Sequence, residues 1–179
     1  MVRYLISDLH LGHENIIEYC DRPFDSVEEM DNTLIENWND VVDDEHDVVF
    51  FLGDLGAFAR EEELRELLGR LNGRIVFVEG NHDHPSRYVD GINTHQYYIL
   101  ERGDRQFCCT HRPENAPRFW EGWIVHGHHH DNDTDEYPFL DPERRRVNVS
   151  VELIGYEPLP EEELINYVER GERLRCRPR

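Results

Sequence analysis

Five short clusters of aspartate, asparagine and histidine, each on or just after an apolar strand-like run, constrain this chain more than anything else in it. They are Asp8-Leu9-His10, Gly53-Asp54, Gly80-Asn81-His82-Asp83, Thr110-His111 and Gly127-His128-His129-His130. Carboxylate, carboxamide and imidazole together form the ligand set of hard or borderline divalent metals, with no thiolate required. A fold that serves all the clusters must bring several strand ends to one place. Layered α/β proteins do this, because loops from separate parts of the chain converge at the carboxyl ends of their strands.

The intervening sequence supplies such strands. Residues 2–7 predict a short strand ending on Asp8, and residues 48–52 form a continuous β-branched and aromatic run, buried on both faces, that ends on Gly53-Asp54. Residues 75–78 lead into Gly80-Asn81-His82-Asp83. Ser26-Val27-Glu28-Glu29 has capping-box spacing, and Val27, Met30, Leu34, Ile35 and Trp38 recur at helical intervals, which predicts an amphipathic helix over 26–42. A second helix is expected over 60–71 through Leu64, Leu67, Leu68 and Leu71, closed by Asn72-Gly73. A shorter one starts near His13 or Glu14 and stops before Pro23.

The second half reads as more β-rich, with strands near 96–101, 105–110, 122–126 and 146–152 and a hairpin turn at Arg102-Gly103-Asp104. Residues 131–145 read as the longest loop, and a last helix covers 160–170. The predicted class is α/β, with two packed mixed β-sheets flanked by helices in one domain spanning 1–179.

The clusters carry specific chemistry. Asp8 and His10 are two apart, so in extended backbone they project to the same side, and His128 and His130 share that spacing. Asp54 follows a glycine at a strand end. Its carboxylate has two oxygens and can bridge two cations about 3.5–4 Å apart. Asn81 offers a neutral carbonyl oxygen and His111 an isolated nitrogen. Seven ligands then serve two metals, four around each if Asp54 is shared, and the open positions mark a catalytic rather than a structural site. The expected reaction is attack on phosphorus by a hydroxide held between the metals, in line with the leaving alkoxide. Metal coordination lowers the pKa of water from about 15.7 towards 7. Both cations and a protonated imidazole would neutralise charge developing on the phosphoryl oxygens.

The motif order D-x-H, G-D, G-N-H-D, H, G-H-x-H resembles that of the calcineurin-like binuclear metallophosphoesterase superfamily. The stretch Ser7-Asp8-Leu9-His10-Leu11-Gly12-His13 with Asn15-Ile16-Ile17 resembles its small single-domain members. The resemblance implies that Asp8, His10, Asp54 and His130 hold one metal, and that Asp54, Asn81, His111 and His128 hold the other. It implies further that His82 contacts the phosphoryl group and protonates the leaving oxygen, with Asp83 orienting it. The family metals are divalent ions, manganese first among them, with iron, zinc or nickel also used, and the family fold is a four-layer sandwich of paired sheets between helices.

The expected function is metal-dependent hydrolysis of small or nucleotide phosphodiesters, since the chain has no room for a cap domain. The alternatives are a phosphomonoesterase and, less favoured, a non-catalytic scaffold on the same fold. Other residues carry open readings. His13 either reaches substrate or supports the helix start. Arg22 and Arg112 can pair with a phosphate oxygen, and small relatives often carry an aromatic residue at the second position. His126 and His129 alternate away from the ligands and read as structural, while His46, His84 and His95 read as surface residues. Arg144-Arg145-Arg146 reads as local ion pairing, and Phe119, Trp120 and Trp123 as core or pocket wall.

Composition bounds the surroundings. The net charge is −20, and all nineteen basic residues are arginine. Acidic excess without lysine reads as a protein kept soluble in a halophilic cytoplasm, where the Debye length falls to roughly 3 Å at 1 M salt. Such charge makes nucleic acid a possible but unfavoured partner, whereas a phosphate ester remains accessible because bound metals reverse the local sign. Cys20, Cys108, Cys109 and Cys176 have no C-x-x-C spacing and no signal peptide before them, so they read as reduced packing residues. No apolar run approaches membrane-spanning length. Oligomeric state is not encoded in any of these features.

Overall fold

A computed structural model of the chain describes residues 1–56, 61–83 and 94–178. In chain order the first elements are β1 (Arg3–Ile6), α1 (Asn15–Tyr19), α2 (Val27–Val41), β2 (Val48–Phe51), α3 (Glu61–Leu68) and β3 (Arg74–Val78). There follow β4 (Thr94–His95), β5 (Tyr97–Arg102), β6 (Arg105–Thr110), β7 (Trp123–His126), β8 (Leu140–Asp141) and β9 (Arg146–Asn148). The chain closes with α4 (Val151–Ile154), β10 (Leu159–Pro160) and α5 (Glu161–Arg170).

The strands form two mixed five-stranded sheets, ordered β10-β1-β2-β3-β4 and β5-β6-β7-β9-β8. In the first, β1 to β4 run parallel and β10 lies antiparallel on β1. In the second, β6, β7 and β9 are parallel, with β5 and β8 antiparallel at the edges. The α/β class and the paired mixed sheets are those expected.

Strand β2 shows why an uninterrupted apolar run was required. Phe50 points to the second sheet, where its ring lies 5.0 Å from that of Tyr98. Phe51 points the other way, 5.3 Å from Phe77 and 6.5 Å from Trp38 of α2. Alternate side chains thus fill both faces. Helix α2 starts where predicted: Ser26 Oγ accepts the Glu29 N–H at 3.1 Å. Its apolar stripe of Met30, Leu34, Ile35 and Trp38 is buried against the sheet core.

Several local expectations need correction. The strand expected over 146–152 stops at Asn148, and residues 151–154 are helical. Asn148 Oδ1 accepts the Ser150 N–H at 3.1 Å, a side-chain bond that turns the chain out of the ladder. The loop expected over 131–145 contains β8, whose two residues are too few to show a period. His84 and Arg60 lie outside the described residues. His46 is exposed as expected, but His95 is half-buried beside Tyr98. Phe119 is 95 % exposed rather than packed, while Trp120 and Trp123 are half-buried. Arg144 pairs with Asp141 and Glu136, as local ion pairing predicts. Cys20, Cys108 and Cys109 are free and buried, and Cys176 is free and exposed. Among the described residues no helix is long and apolar enough to cross a membrane.

Candidate metal centre

The carboxyl ends of β1, β2, β3, β6 and β7 carry the clusters, and backbone hydrogen bonds zip the following loops together. Ser7 bridges to Ser150, which joins the two sheets at one end. Beyond it, the Asp8 N–H donates to Gly53 O at 2.9 Å and the His10 N–H to Asp54 O at 3.0 Å. On the other side the Gly127 N–H donates to His111 O at 3.0 Å. The site therefore sits on the seam between the sheets.

These loops are not extended. Asp8, His10, Asp54, His128 and His130 all have left-handed backbone, with φ of 62°, 53°, 59°, 71° and 48°. Non-glycine residues rarely occupy this region, and a site that forces five of them into it stores backbone strain at its ligands. Asp8 and His10 do converge, while His128 and His130 turn to two adjoining groups of ligand atoms. They do so through this left-handed turn, not through the strand alternation expected from their spacing.

Two glycines make the close approach possible. A Cβ on Gly127 would lie 2.0 Å from Ser7 Oγ and 2.3 Å from Asp8 Oδ2. A Cβ on Gly80 would lie 2.2 Å from Asp54 Oδ1. Neither contact leaves room for any side chain.

The result is two adjoining groups of ligand atoms. Asp8, His10 and His130 place theirs within 4.8 Å of one another, as do Asp54, His111 and His128. Asp54 links the groups, because its Oδ2 lies 3.6 Å from His10 Nε2 and 3.4 Å from His111 Nε2. Asn81 Oδ1 lies 3.0 Å from His111 Nε2. All seven side chains singled out from the sequence meet here.

The donor set fits divalent cations. Both ring nitrogens of His10 are buried without a hydrogen-bond partner, a costly arrangement unless a lone pair is used for something else. Burial pushes the His10 imidazole down to about 3 and that of His128 to about 4, so both are neutral and able to ligate. Burial also opposes charge on His111 and His130, but facing carboxylates outweigh it. Asp54 holds His111 at about 9, and Asp8 with Glu152 holds His130 at about 11.

A further layer of residues holds the ligands in place. Asp8 Oδ2 accepts from Ser7 Oγ at 2.5 Å and lies 2.9 Å from Ser150 Oγ. The His128 N–H also donates to it, at 3.0 Å. Asp83 accepts the N–H groups of Asp54, Leu55 and Gly80 at 2.7, 3.0 and 2.7 Å, so it pins the backbone that carries the shared carboxylate. His82 is exposed at the cavity mouth. Its own N–H donates to Asp54 Oδ1 at 2.9 Å, and its ring lies 5.7 Å from that of His10.

Glu152 has no counterpart among the sequence expectations. Its side chain is buried, accepts from His130 Nδ1 at 2.9 Å, and leaves His130 Nε2 facing Asp8. Arg22 completes the support. Its guanidinium donates to Glu152 Oε1 at 2.7 and 3.0 Å, to Asp8 O at 2.7 Å and to Leu9 O at 2.8 Å. A fork so committed, on a residue 4 % exposed, is not available to a substrate phosphate. The glutamate sits in an ordinary helical stretch 22 residues past His130, and no motif surrounds it.

His126 is fully buried, with Nδ1 2.9 Å from Gly127 O, and His129 stacks on Tyr137 at 3.4 Å. His13 is buried with its ring 5.5 Å from that of His10. Two cavities flank the centre. One of about 380 Å³ is lined by His10, Asp54, His82, His128 and His130 together with Ile16 and Tyr19. The other, about 470 Å³, is lined by Glu79, Asn81, Gln96, His111, Arg112 and Asn115.

The family model described as calcineurin-like phosphoesterase matches residues 1–170. An uncharacterized protein of Methanocaldococcus jannaschii is 46 % identical over 174 residues, covering 96 % of this chain and 94 % of that protein. The gene 66 protein of Mycobacterium phage L5 is 36 % identical over 84 residues, 46 % of this chain and 40 % of its own length. Among solved structures, a protein of unknown function from Aquifex aeolicus has the same fold, with a TM-score of 0.69 at 24 % identity. That likeness covers 92 % of this chain and 98 % of the other.

Proposed function

This chain belongs to the calcineurin-like phosphoesterase family, and on that premise we propose that it is a metal-dependent phosphodiesterase acting on small or nucleotide phosphodiesters, with two manganese ions as its cofactor. The observation that carries the reading is the Asp54 carboxylate, placed between His10 at 3.6 Å and His111 at 3.4 Å. One carboxylate shared by two ligand groups is the arrangement of a two-metal site. Asp8, His10, Asp54 and His130 would hold one ion, and Asp54, Asn81, His111 and His128 the other.

Bound divalent ions supply an activated water at neutral pH and positive charge against the phosphoryl oxygens. The chain's own residues do the rest. Asp54 and the neutral imidazoles of His10 and His128 would hold the ions, and through them set where the phosphoryl group sits. His82, exposed at the mouth of the same cavity and anchored to Asp54 through its N–H, is placed to give a proton to the leaving oxygen. Asp83 keeps the Asp54 loop from relaxing.

The two flanking cavities favour a diester. A phosphodiester carries two ester arms, and the centre opens onto a part-apolar chamber beside Ile16 and Tyr19 and a polar one beside Asn81 and Arg112. A monoester would leave one of them empty.

The test is a panel of bis-p-nitrophenyl phosphate, p-nitrophenyl phosphate and 2′,3′-cyclic nucleotides, each assayed with added manganese. Faster turnover of the diesters is expected. Preference for the monoester would reassign the chain as a phosphatase, and no turnover of any substrate with metal bound would refute hydrolysis altogether. His82→Ala is expected to keep metal binding while turnover falls by about 10²–10⁴-fold. Unchanged turnover would remove His82 from the mechanism.

A further inference from the structure

Arg112 follows directly after His111, yet it has no part in the ligand set. Its Nε is buried with no hydrogen-bond partner, and no ion pair of Arg112 is found among the described residues. By contrast, Arg3, Arg22, Arg144 and Arg177 are paired with carboxylates. A buried Nε–H left without an acceptor carries a desolvation cost that an anionic ligand would offset.

The two cavities show where that anion would sit. The chamber of about 380 Å³ is lined by His10, Asp54, His82, His128 and His130, and so would border the reacting phosphoryl group and take one ester arm. Arg112 does not line it. Arg112 lines the neighbouring chamber of about 470 Å³, where Asn81 and His111 come from the ligand set and the remaining wall includes Gln96, Asn115 and Glu79. Its cation therefore lies beyond the scissile group, along the other ester arm. The amides donate and accept, and Glu79 accepts, which suits the hydroxyls of a sugar or the edge of a base. A cavity of this size holds a small-molecule group of nucleotide dimensions.

We infer that the chamber beside Asn81 and His111 is a subsite for a nucleoside arm bearing a second phosphate, and that Arg112 is the specificity-determining residue that grips this phosphate. The inference rests on the phosphodiesterase reading and narrows it: the favoured substrates are nucleotide diesters with a phosphate one nucleoside away from the bond that breaks. The cation acts on an arm and not on the reacting centre, so it changes the choice between substrates more than the chemistry common to them.

The experiment compares manganese-loaded wild type and Arg112→Gln on unphosphorylated thymidine dinucleotide and on the same dinucleotide carrying a 5′- or a 3′-terminal phosphate. Bis-p-nitrophenyl phosphate serves as the reporter of phosphodiesterase activity itself. For wild type, kcat/KM is expected to be about tenfold or more higher for one of the phosphorylated dinucleotides, the scale of a charge-assisted contact to phosphate. That ratio should collapse towards one in Arg112→Gln, with partial recovery in Arg112→Lys, which restores charge without the bidentate fork. A wild-type ratio near one overturns the subsite. So does an equal loss on all three dinucleotides in Arg112→Gln, which would place the guanidinium on the scissile phosphoryl group. Absence of turnover on bis-p-nitrophenyl phosphate by wild type would instead strike the phosphodiesterase reading, a separate outcome.

Discussion

Glu152 accepts a hydrogen bond from His130 Nδ1 at 2.9 Å, deep in the protein and next to the Arg22 guanidinium. The bond fixes which imidazole nitrogen faces Asp8, and the burial-opposed carboxylate stays ionised because His130 and Arg22 hold it down to about 2. A carboxylate behind a histidine sets the ring's tautomer and orientation and raises its basicity as a ligand.

Glu152→Gln is therefore expected to weaken metal binding by about 10–100-fold while leaving the fold intact. Calorimetric titration of the ion-free protein with manganese measures this directly. Affinity equal to wild type would show that His130 needs no such support.

Asp31 gives a stability effect that depends on pH. Burial raises its carboxyl to about 6, even though the Gly12 N–H donates to both its oxygens. A folded-state value above the unfolded one means that the stability tied to this group is fully present below the unfolded pKa. It is lost as pH rises through about 6. Asp31→Asn should thus be more stable than wild type at pH 7–8, by about 1 kcal/mol after allowance for solvent reach, and indistinguishable from it below pH 4. Thermal melts at several pH values check this. A variant less stable than wild type at pH 8 would show that the charge is needed to hold the Gly12 loop.

The charge of −20 with no lysine predicts dependence on salt. Dilution from concentrated salt into low salt should lower the melting temperature as carboxylate repulsion loses its screening. Circular dichroism across a salt series reads this, and a melting temperature indifferent to salt would remove the halophilic interpretation.

Much of this was legible in the sequence, for physical reasons that also explain the gaps. Strands β1, β2 and β3 could be read because both their faces are buried, which leaves continuous apolar runs ending on the clusters. Helix α2 could be read from its cap and its stripe. The seven ligand candidates could be named because their residue types and spacing are chemical requirements of a shared cation pair. The left-handed turns at Asp8 and His128 could not, since aspartate and histidine also occupy extended backbone. Strands β8 and β10 hold two residues each and have no periodicity. Glu152 and the strut role of Arg22 depend on a contact across 130 residues of sequence, which no local pattern encodes.

The sharing of Asp54 between two ions is measurable with manganese. Titration of the ion-free protein, followed by electron paramagnetic resonance at saturation, should give two ions per chain and the spectrum of an exchange-coupled pair. Asp54→Asn should reduce the stoichiometry or abolish the coupling. One ion per wild-type chain, or two giving only the six-line signal of isolated manganese, would rule out a carboxylate shared between the ions.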